Sequence, residues 1–153
     1  MAFLSSMNIV GSGLTAQQLR LDVISENVTN SNTTRTQAGG PYRRKMVVFE
    51  AQESRDSFRA AMARAANGMV SNAAYNTTGG VRVTQIIEDD APMKQVFDPT
   101  HPDADENGYL TLPNVDMVKE MADAIAATQA YSANVTAYNT LKAVIAKGLE
   151  IGK

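Results

Sequence analysis

Apolar residues recur at helical spacing at both ends of the chain. Near the N-terminus they follow one another at steps of three, four or seven residues, which is typical of one face of a helix. The members of this stripe are Phe3, Met7, Val10, Leu14, Leu21, Ile24 and Val28, with Gln17 as a polar exception. Gly11 and Gly13 each weaken a helix by about 1 kcal/mol relative to alanine, so the pattern leaves a kink or a late start open there.

The C-terminal periodic segment is longer. Its positions alternate as in a heptad repeat, at Met117, Met121, Ala124, Tyr131, Val135, Tyr138, Ile145 and Leu149, with Thr128 and Lys142 as polar members. Pro113 and Asn114 supply a stop signal and a candidate N-cap, and Asp116 falls in the first turn, where a carboxylate is favoured. A helix from Asn114 to about Glu150 would be roughly 55 Å long at about 1.5 Å per residue. Because no small core covers a rod of that length, we expect the two terminal helices to pair.

The centre of the chain favours extended structure. Gly39-Gly40-Pro41 marks a turn. The stretch from Tyr42 to Glu50 is rich in β-forming residues, and Val81 to Ile86 alternates as a half-buried strand does. Tyr109 to Leu112 predicts a short further strand. Residues 51–80 stay undecided between helix, linker and loop.

These elements predict a fold that is mainly α with a small β part. Residues 1–34 and 114–153 are expected to form the N- and C-terminal helices of a coiled-coil core, and residues 35–113 a central extended and β-rich region. At 153 residues the chain is long enough for one ordinary domain with a modest core.

The C-terminal helix lacks charge over much of its length. From Ala124 to Leu141, eighteen consecutive residues are uncharged, and the polar ones are Thr, Gln, Ser and Asn. A solvated helix face usually carries Lys and Glu, whereas short neutral polar groups can be buried between helices without the desolvation cost of an ion. We therefore expect other subunits of a polymer to cover this face. Since Asn, Ser and Thr are poor helix formers, we also hypothesise that the isolated monomer holds its termini loosely.

Composition excludes several classes of protein. A net charge of -2 gives no field strong enough to draw nucleic acid or an anionic membrane. There is no cysteine, so neither a disulfide nor a thiolate site is possible. The N-terminus lacks the basic region and cleavage site of a secretory signal, and no apolar run reaches the roughly 20 residues that span a bilayer. We expect no membrane span and no conventional signal peptide.

Two features suggest metal or catalytic chemistry, and both are incomplete. Asp103-x-Asp105-x-Asn107-Gly108 matches the first half of an EF-hand loop, but Asn114 stands where a bidentate Glu is required. We expect a polar turn there rather than a calcium site. His101 is the single histidine, and it lacks the partners that a metal site or an activated nucleophile needs. The sequence predicts no metal, no cofactor and no enzymatic activity.

Three consecutive basic residues, Arg43, Arg44 and Lys45, stand in an otherwise acidic chain. Three charges are a weak footprint for nucleic acid or lipid headgroups. We favour ion pairing between Arg43 and Arg44 and an acidic patch on a neighbouring subunit over simple solvation.

Motifs that occur in order along the chain carry a family resemblance. They are Ser12–Arg20, Ile24–Asn30, Thr34–Lys45, Asp98–Asp105, Asn107–Tyr109, Pro113–Asp116 and Tyr131–Val135. The first two resemble the N-terminal signature of bacterial flagellar rod and hook proteins. The others are similar to motifs of the proximal-rod subunits within that group.

The resemblance implies a structural subunit of the flagellar basal-body proximal rod, the helical drive shaft that transmits torque and surrounds the export channel. It implies type III export without a cleaved signal, and a location in the rod that crosses the periplasm. The implied partners are other copies of the chain, other proximal-rod proteins, the distal-rod protein and the export-gate base.

We predict that the terminal helices carry most of the assembly interface. The candidate residues are Leu14, Leu21, Ile24, Asn27, Val28, Arg43, Arg44, Ile125, Tyr131, Asn134, Val135, Tyr138 and Ile145. The alternative is a soluble helical adaptor or export chaperone that binds secreted clients through its amphipathic helices. That alternative predicts a stable cytosolic monomer or dimer, whereas a rod subunit copurifies with basal bodies.

Overall fold

The computed structural model describes residues 2–52 and 79–151. Its elements follow one another as α1 (Ala2–Thr29), β1 (Lys45–Ala51), β2 (Val81–Glu88), β3 (Lys94–Phe97), β4 (Tyr109–Leu112) and α2 (Met117–Ile151). The fold is mainly α with a small β part, as the sequence predicts. The undecided segment 51–80 falls almost entirely outside the described residues.

Helix α1 runs without interruption from Ala2 to Thr29, so the glycines near its start do not delay it. A Cβ on Gly13 would lie 3.0 Å from the Nδ2 atom of Asn134 on α2. Glycine at this position therefore lets the second helix approach closely. The helix ends among polar residues, where the side chain and backbone N–H groups of Asn30 both donate to the carbonyl of Glu26, at 2.9 and 3.0 Å.

Helix α2 begins three residues later than expected, at Met117. Its N-cap is Asp116, whose Oδ1 accepts from the backbone N–H of Val118 at 3.0 Å while its carbonyl accepts from that of Glu120 at 2.9 Å. The predicted cap, Asn114, has another role. Its Oδ1 accepts from the backbone N–H of Arg44 at 2.8 Å, so it joins the start of β1 to the segment before α2.

The two helices pair in an antiparallel arrangement. Along α1, Gly13 lies against Asn134, Arg20 forms an ion pair with Asp123 at 3.5 Å, and the Nδ2 of Asn27 donates to Glu120 at 3.1 Å. As the residue number rises on α1, it falls on α2. The predicted pairing of the terminal helices is therefore confirmed.

The face of α2 that packs against α1 contains only half of the residues predicted for the seam. On α2 the residues with reduced exposure are Glu120, Asp123, Ala124, Ala127, Ala130, Tyr131, Asn134, Tyr138, Leu141 and Ile145. Ala124, Tyr131, Tyr138 and Ile145 belong to the predicted stripe, but Met117, Met121, Val135 and Leu149 are exposed. The prediction used apolarity alone, whereas the observed face also includes alanines and polar residues such as Asn134.

The first sheet lies along α1 on a second side. Strands β1 and β2 pair antiparallel from Lys45↔Glu88 to Ala51↔Val81, with a bulge between Val48 and Phe49. One end of the ribbon is joined to α1 at Asn27, whose Nδ2 donates to the carbonyl of Lys45 at 2.9 Å. Near the other end, the backbone N–H of Val81 donates to Ser12 Oγ at 3.0 Å.

The second sheet is a hairpin of β3 and β4, paired from Lys94↔Leu112 to Phe97↔Tyr109. The strands predicted in the regions of β1, β2 and β4 are confirmed, while β3 was not predicted. It has four residues, all exposed, and so lacks the apolar alternation by which a half-buried strand is found.

Replacing the N-cap of α2 tests the helix boundary. We expect Asp116→Ala to lower the free energy of unfolding by about 1 kcal/mol, because the first-turn N–H of Val118 loses its acceptor. Urea denaturation followed by circular dichroism measures the change. Asp116→Asn, which keeps an acceptor oxygen, is the matched control and should stay close to the parent. Equal losses in both variants would contradict the cap assignment.

Candidate assembly site

Four polar side chains are buried together where α1, α2 and the start of β1 meet. Asn27 is 1% exposed, Tyr42 7%, Arg44 8% and Glu120 0%. We call these four residues the buried polar cluster. Charged groups are rarely buried to this extent unless they are paired.

The guanidinium of Arg44 is surrounded by carboxylates of its own chain. Its Nε donates to Glu120 Oε1 at 2.6 Å, and its Nη2 to Asp123 Oδ2 at 3.3 Å. Its Nη1 lies 3.6 Å from Asp89 Oδ2. The buried guanidinium of Arg44, just before β1, thus binds two carboxylates of α2 and the carboxylate of Asp89, which follows β2.

Asn27 uses its full hydrogen-bonding capacity inside the cluster. Its Nδ2 donates to the carbonyl of Lys45 at 2.9 Å and to Glu120 Oε2 at 3.1 Å. Its Oδ1 accepts from the backbone N–H of Lys45 and from the hydroxyl of Tyr42, both at 2.9 Å. An amide has two N–H donors and two acceptor lone pairs, so this side chain connects α1 to β1 and to α2 with no group left over.

The hydroxyl of Tyr42 is held in its neutral form. Burial, together with the negative charges of Glu26, Glu120 and Glu88, raises the pKa of Tyr42 to about 12. The Nζ of Lys45 lies 5.6 Å from the centre of the Tyr42 ring and forms an ion pair with Glu26. The tyrosine therefore donates its hydrogen bond to Asn27 throughout the neutral pH range.

The structure changes the interpretation of two candidate interface residues. Arg44 was expected to meet an acidic patch on a neighbouring subunit, yet its carboxylate partners belong to its own chain. Asn27 is likewise enclosed by residues of the same chain. Glu120 was missed as a functional residue, because a single acidic residue in the first turn of a helix is usually explained by the helix dipole.

Arg43, next to Arg44, points the other way. It is exposed, and its Nη1 lies 3.9 Å from the fully exposed Asp90. An ion pair of this kind in water contributes little to stability. Its side chain can therefore leave that contact, and pairing with a neighbouring subunit stays a prediction for Arg43.

An apolar stripe lies on the outside of α2. Val118 is 76% exposed, Met121 58%, Ile125 60% and Val135 36%. We call these four residues the outer stripe. The exposed Thr128 and Ser132 lie between its members at helical spacing, so the stripe follows one face with no charge on it. A run of exposed apolar side chains along one helix face is typical of a contact surface.

The remaining candidate residues lie between these extremes. Leu14, Leu21, Val28, Tyr131, Asn134, Tyr138 and Ile145 are half-buried, and Ile24 is buried. The single chain covers one side of these residues and leaves part of their surface free. Their role between subunits stays a prediction.

The loop between β3 and β4 is a hydrogen-bonded polar turn. The backbone N–H of Gly108 donates to the carbonyl of Asp105 at 2.8 Å, and that of Asp103 to His101 Nδ1 at 3.1 Å. The hydrogen bonds that Asp98 accepts from Thr100 lower the pKa of its carboxyl group. Within residues 2–52 and 79–151, no group of three or more His, Cys, Asp or Glu side chains is placed to hold a metal ion.

Comparisons with known proteins agree with this architecture. Residues 7–37 match the family described as flagella basal body rod protein, and residues 106–151 match the C-terminal family of the flagellar basal body rod FlgEFG proteins. The flagellar basal-body rod protein FlgC of Bacillus subtilis is 46% identical over 97% of both chains. Those of Borreliella burgdorferi and Salmonella typhimurium are 41% and 39% identical over 98% or more of each chain.

The chain belongs to the FlgC family of flagellar basal-body rod proteins. It is a structural rod subunit of the flagellar basal body and assembles with other rod components. The resemblance to flagellar rod proteins is thereby confirmed, and the adaptor or chaperone alternative is not favoured. No helix in the part of the FlgC-family chain that the structure describes has the length and apolarity needed to cross a membrane.

Removing the cation of the buried polar cluster should destabilise the fold. We expect Arg44→Met to lower the free energy of unfolding by about 3–5 kcal/mol, because the fully buried carboxylate of Glu120 loses its ion pair. Urea denaturation measures the loss. The matched control is Arg82→Met, which breaks an ion pair at 3.2 Å between side chains that are 58% and 54% exposed. That control should cost about 0–1 kcal/mol, and a similar loss in both variants would argue against the importance of the cluster.

Alkaline pH should weaken the fold through Tyr42. Its folded-state pKa of about 12 lies above the value near 10 of an unfolded tyrosine. The stabilising contribution is therefore fully present below pH 10 and is lost as the pH rises through 12. Urea midpoints at pH 8 to 12 in the parent and in Tyr42→Phe test this. The parent should lose stability more steeply above pH 10, and parallel profiles would contradict the assignment.

Proposed function

We propose that this FlgC-family chain is a subunit of the proximal rod. It acts without catalysing a reaction: many contacts between terminal helices combine to resist torsion, so the assembled rod transmits torque. The inner helices surround the channel through which later flagellar proteins are exported. Its proposed neighbours are other copies of itself, other proximal-rod proteins, the distal-rod protein and the export-gate base.

The observation that carries the proposal is the outer stripe on α2. In the single chain these apolar side chains face water, although the same helix buries Ala127 and Glu120. Burying one such side chain fully is worth about 1.5–3 kcal/mol. The uncharged stretch from Ala124 to Leu141 continues this surface without ions that would oppose burial. Both features suit a helix that is covered on two sides once neighbours are present.

The proposal divides the chain as the sequence suggests. Segments 1–34 and 114–153 form the coiled-coil core, and segment 35–113 forms the extended and β-rich part around it. The contacts within the single chain support this division, because α1 and α2 pair directly while the β1–β2 sheet lies along α1. We propose that the rod crosses the periplasm and that the subunit is exported without a cleaved signal.

The interface residues of the proposal fall into three groups. Leu14, Leu21, Val28, Tyr131, Asn134, Tyr138 and Ile145 keep partly exposed surface beside the α1–α2 seam. Ile125, Val135 and Arg43 are exposed and contact neighbours directly. Ile24, Asn27 and Arg44 act indirectly, because they are buried and hold the subunit in the conformation that assembles.

A charge in the outer stripe tests the proposal. We expect Met121→Asp/Ile125→Asp to abolish rod formation and motility, because a carboxylate buried between subunits costs several kcal/mol. The purified variant should keep the circular dichroism and urea midpoint of the parent, since both positions are exposed in the single chain.

The matched control is Ile125→Val, which keeps an apolar side chain and should form rods. Basal bodies isolated from the variant strains and viewed by electron microscopy give the readout. Normal rods in the double Asp variant would refute an interface at the outer stripe. Fractionation separates the alternative class, because an adaptor or chaperone stays in the cytosol while a rod subunit copurifies with basal bodies.

A further inference from the structure

The α2 face that packs against α1 has a seven-residue repeat, so its spacing alone does not select one register. The α2 face repeats every seven residues, as Ala124, Tyr131, Tyr138 and Ile145 and as Glu120, Ala127, Asn134 and Leu141. The opposing α1 residues include the buried Ala16 and the glycine at position 13. Because both rows repeat every seven residues, a slip of one heptad, about 10 Å along the helix, keeps the same face of α2 toward α1.

Charges do not prevent such a slip along the middle of the helix. The eighteen residues from Ala124 to Leu141 carry none, so a shifted pairing brings no like charges together there. The larger seam residues, Tyr131, Tyr138, Leu141 and Ile145, stay on the same face of α2 after a slip of one heptad. The periodicity of the seam therefore does not by itself exclude a shifted register.

Specific contacts are concentrated at one end of the pair. The fully buried Glu120 accepts from Asn27 on α1 and from Arg44 beside β1. Asn27 is fixed in turn by both backbone groups of Lys45, so three elements meet at one carboxylate. About one helical turn along α2 from Glu120, Asp123 pairs with Arg20 of α1 at 3.5 Å.

A one-heptad slip would break the contacts of α2 with Asn27, Arg44 and Arg20 together. Asn27 would face Ala127 or a residue before the start of α2, and neither supplies an acceptor from a helical side chain. Glu120 and Arg44 would be separated or forced to rearrange while still largely covered. Unpaired buried polar groups are strongly disfavoured, and a single buried polar position is known to select register in helix pairs.

We propose that the buried polar cluster determines the register of α1 against α2. Asn27, Arg44 and Glu120 act as specificity-determining residues for helix pairing, in addition to any effect on stability. The register they select fixes how far α2 extends beyond the start of α1. It also fixes the position of the outer stripe relative to the sheets, which must be the same in every subunit of an ordered assembly.

Engineered cysteines can read the register, because the chain has no cysteine of its own. The pair Gly13→Cys/Asn134→Cys reports the observed register, since a Cβ at position 13 lies 3.0 Å from the Asn134 side chain. The pairs Gly13→Cys/Leu141→Cys and Gly13→Cys/Ala127→Cys report slips of one heptad in either direction. About 10 Å of helix separates either position from residue 134, which is beyond the reach of a disulfide in the observed register.

Each cysteine pair is placed in the full-length parent and in Asn27→Leu/Arg44→Met/Glu120→Leu, and disulfide formation is compared after mild oxidation. In the parent we expect the shifted pairs to cross-link at less than about a tenth of the observed-register yield. In the triple variant we expect the shifted yield to rise at least about fivefold, because apolar residues can replace the buried ions without selecting one register. Circular dichroism shows whether helix content is retained.

A second variant covers the case in which the triple variant loses helix. Glu120→Gln keeps the size of the side chain and one acceptor but removes the charge, and it should show a smaller rise of the shifted cross-link. Arg82→Met, which breaks the exposed ion pair with Glu50, is the control and should leave the cross-link pattern unchanged.

Two outcomes overturn the proposal. The first is a helical triple variant that still cross-links only in the observed register, which would mean that packing along the seam sets the register. The second is a Glu120→Gln protein with the cross-link ratios of the parent. Neither readout depends on rod formation, so the cross-linking test can fail without contradicting the proposed function, and the reverse also holds.

Discussion

The fold depends on one carboxylate that has no contact with water. Glu120 stands in the first turn of α2, and it is stable there because Arg44 and Asn27 both donate to it. Those two donors come from the segment that begins the first sheet and from the end of α1. The same point therefore joins both helices and a strand, and none of the three could be displaced without leaving a charge or an amide unpaired in a dry environment.

The rest of the helix pair has a different physical character. Away from the buried polar cluster, the α2 face toward α1 mixes alanines and Asn134 with Tyr131 and Tyr138, while Val118 and Ile125 remain exposed on the outside. Large apolar residues are therefore divided between the seam and the outer surface of the pair. A subunit of this kind keeps much of its hydrophobic surface for contacts that exist only in the assembly.

Much of this architecture could be predicted from the sequence. Periodicity located both helices and the strands in the regions of β1, β2 and β4, because these signals depend on neighbouring residues. The predicted seam was half wrong, since a heptad pattern does not indicate which of two adjacent stripes on α2 packs against α1. The contacts of Arg44 could not be predicted, because its ion pair with Glu120 joins positions 76 residues apart and no local pattern reports such a contact. Exposed β3, with four residues, carried too little alternation to be found.

The first sheet closes at a defined point. The backbone N–H of Gln52 donates to the carbonyl of Gly80 at 2.7 Å, and the neighbouring Val81 is bonded to Ser12 on α1. The chain thus leaves the first sheet and returns to it at residues that are bonded to each other. This bond holds the two strands together at one end of the ribbon, and Ser12 fixes the same end against α1. Helix α1 therefore sets the position of the first sheet at two places, near Ser12 and at Asn27.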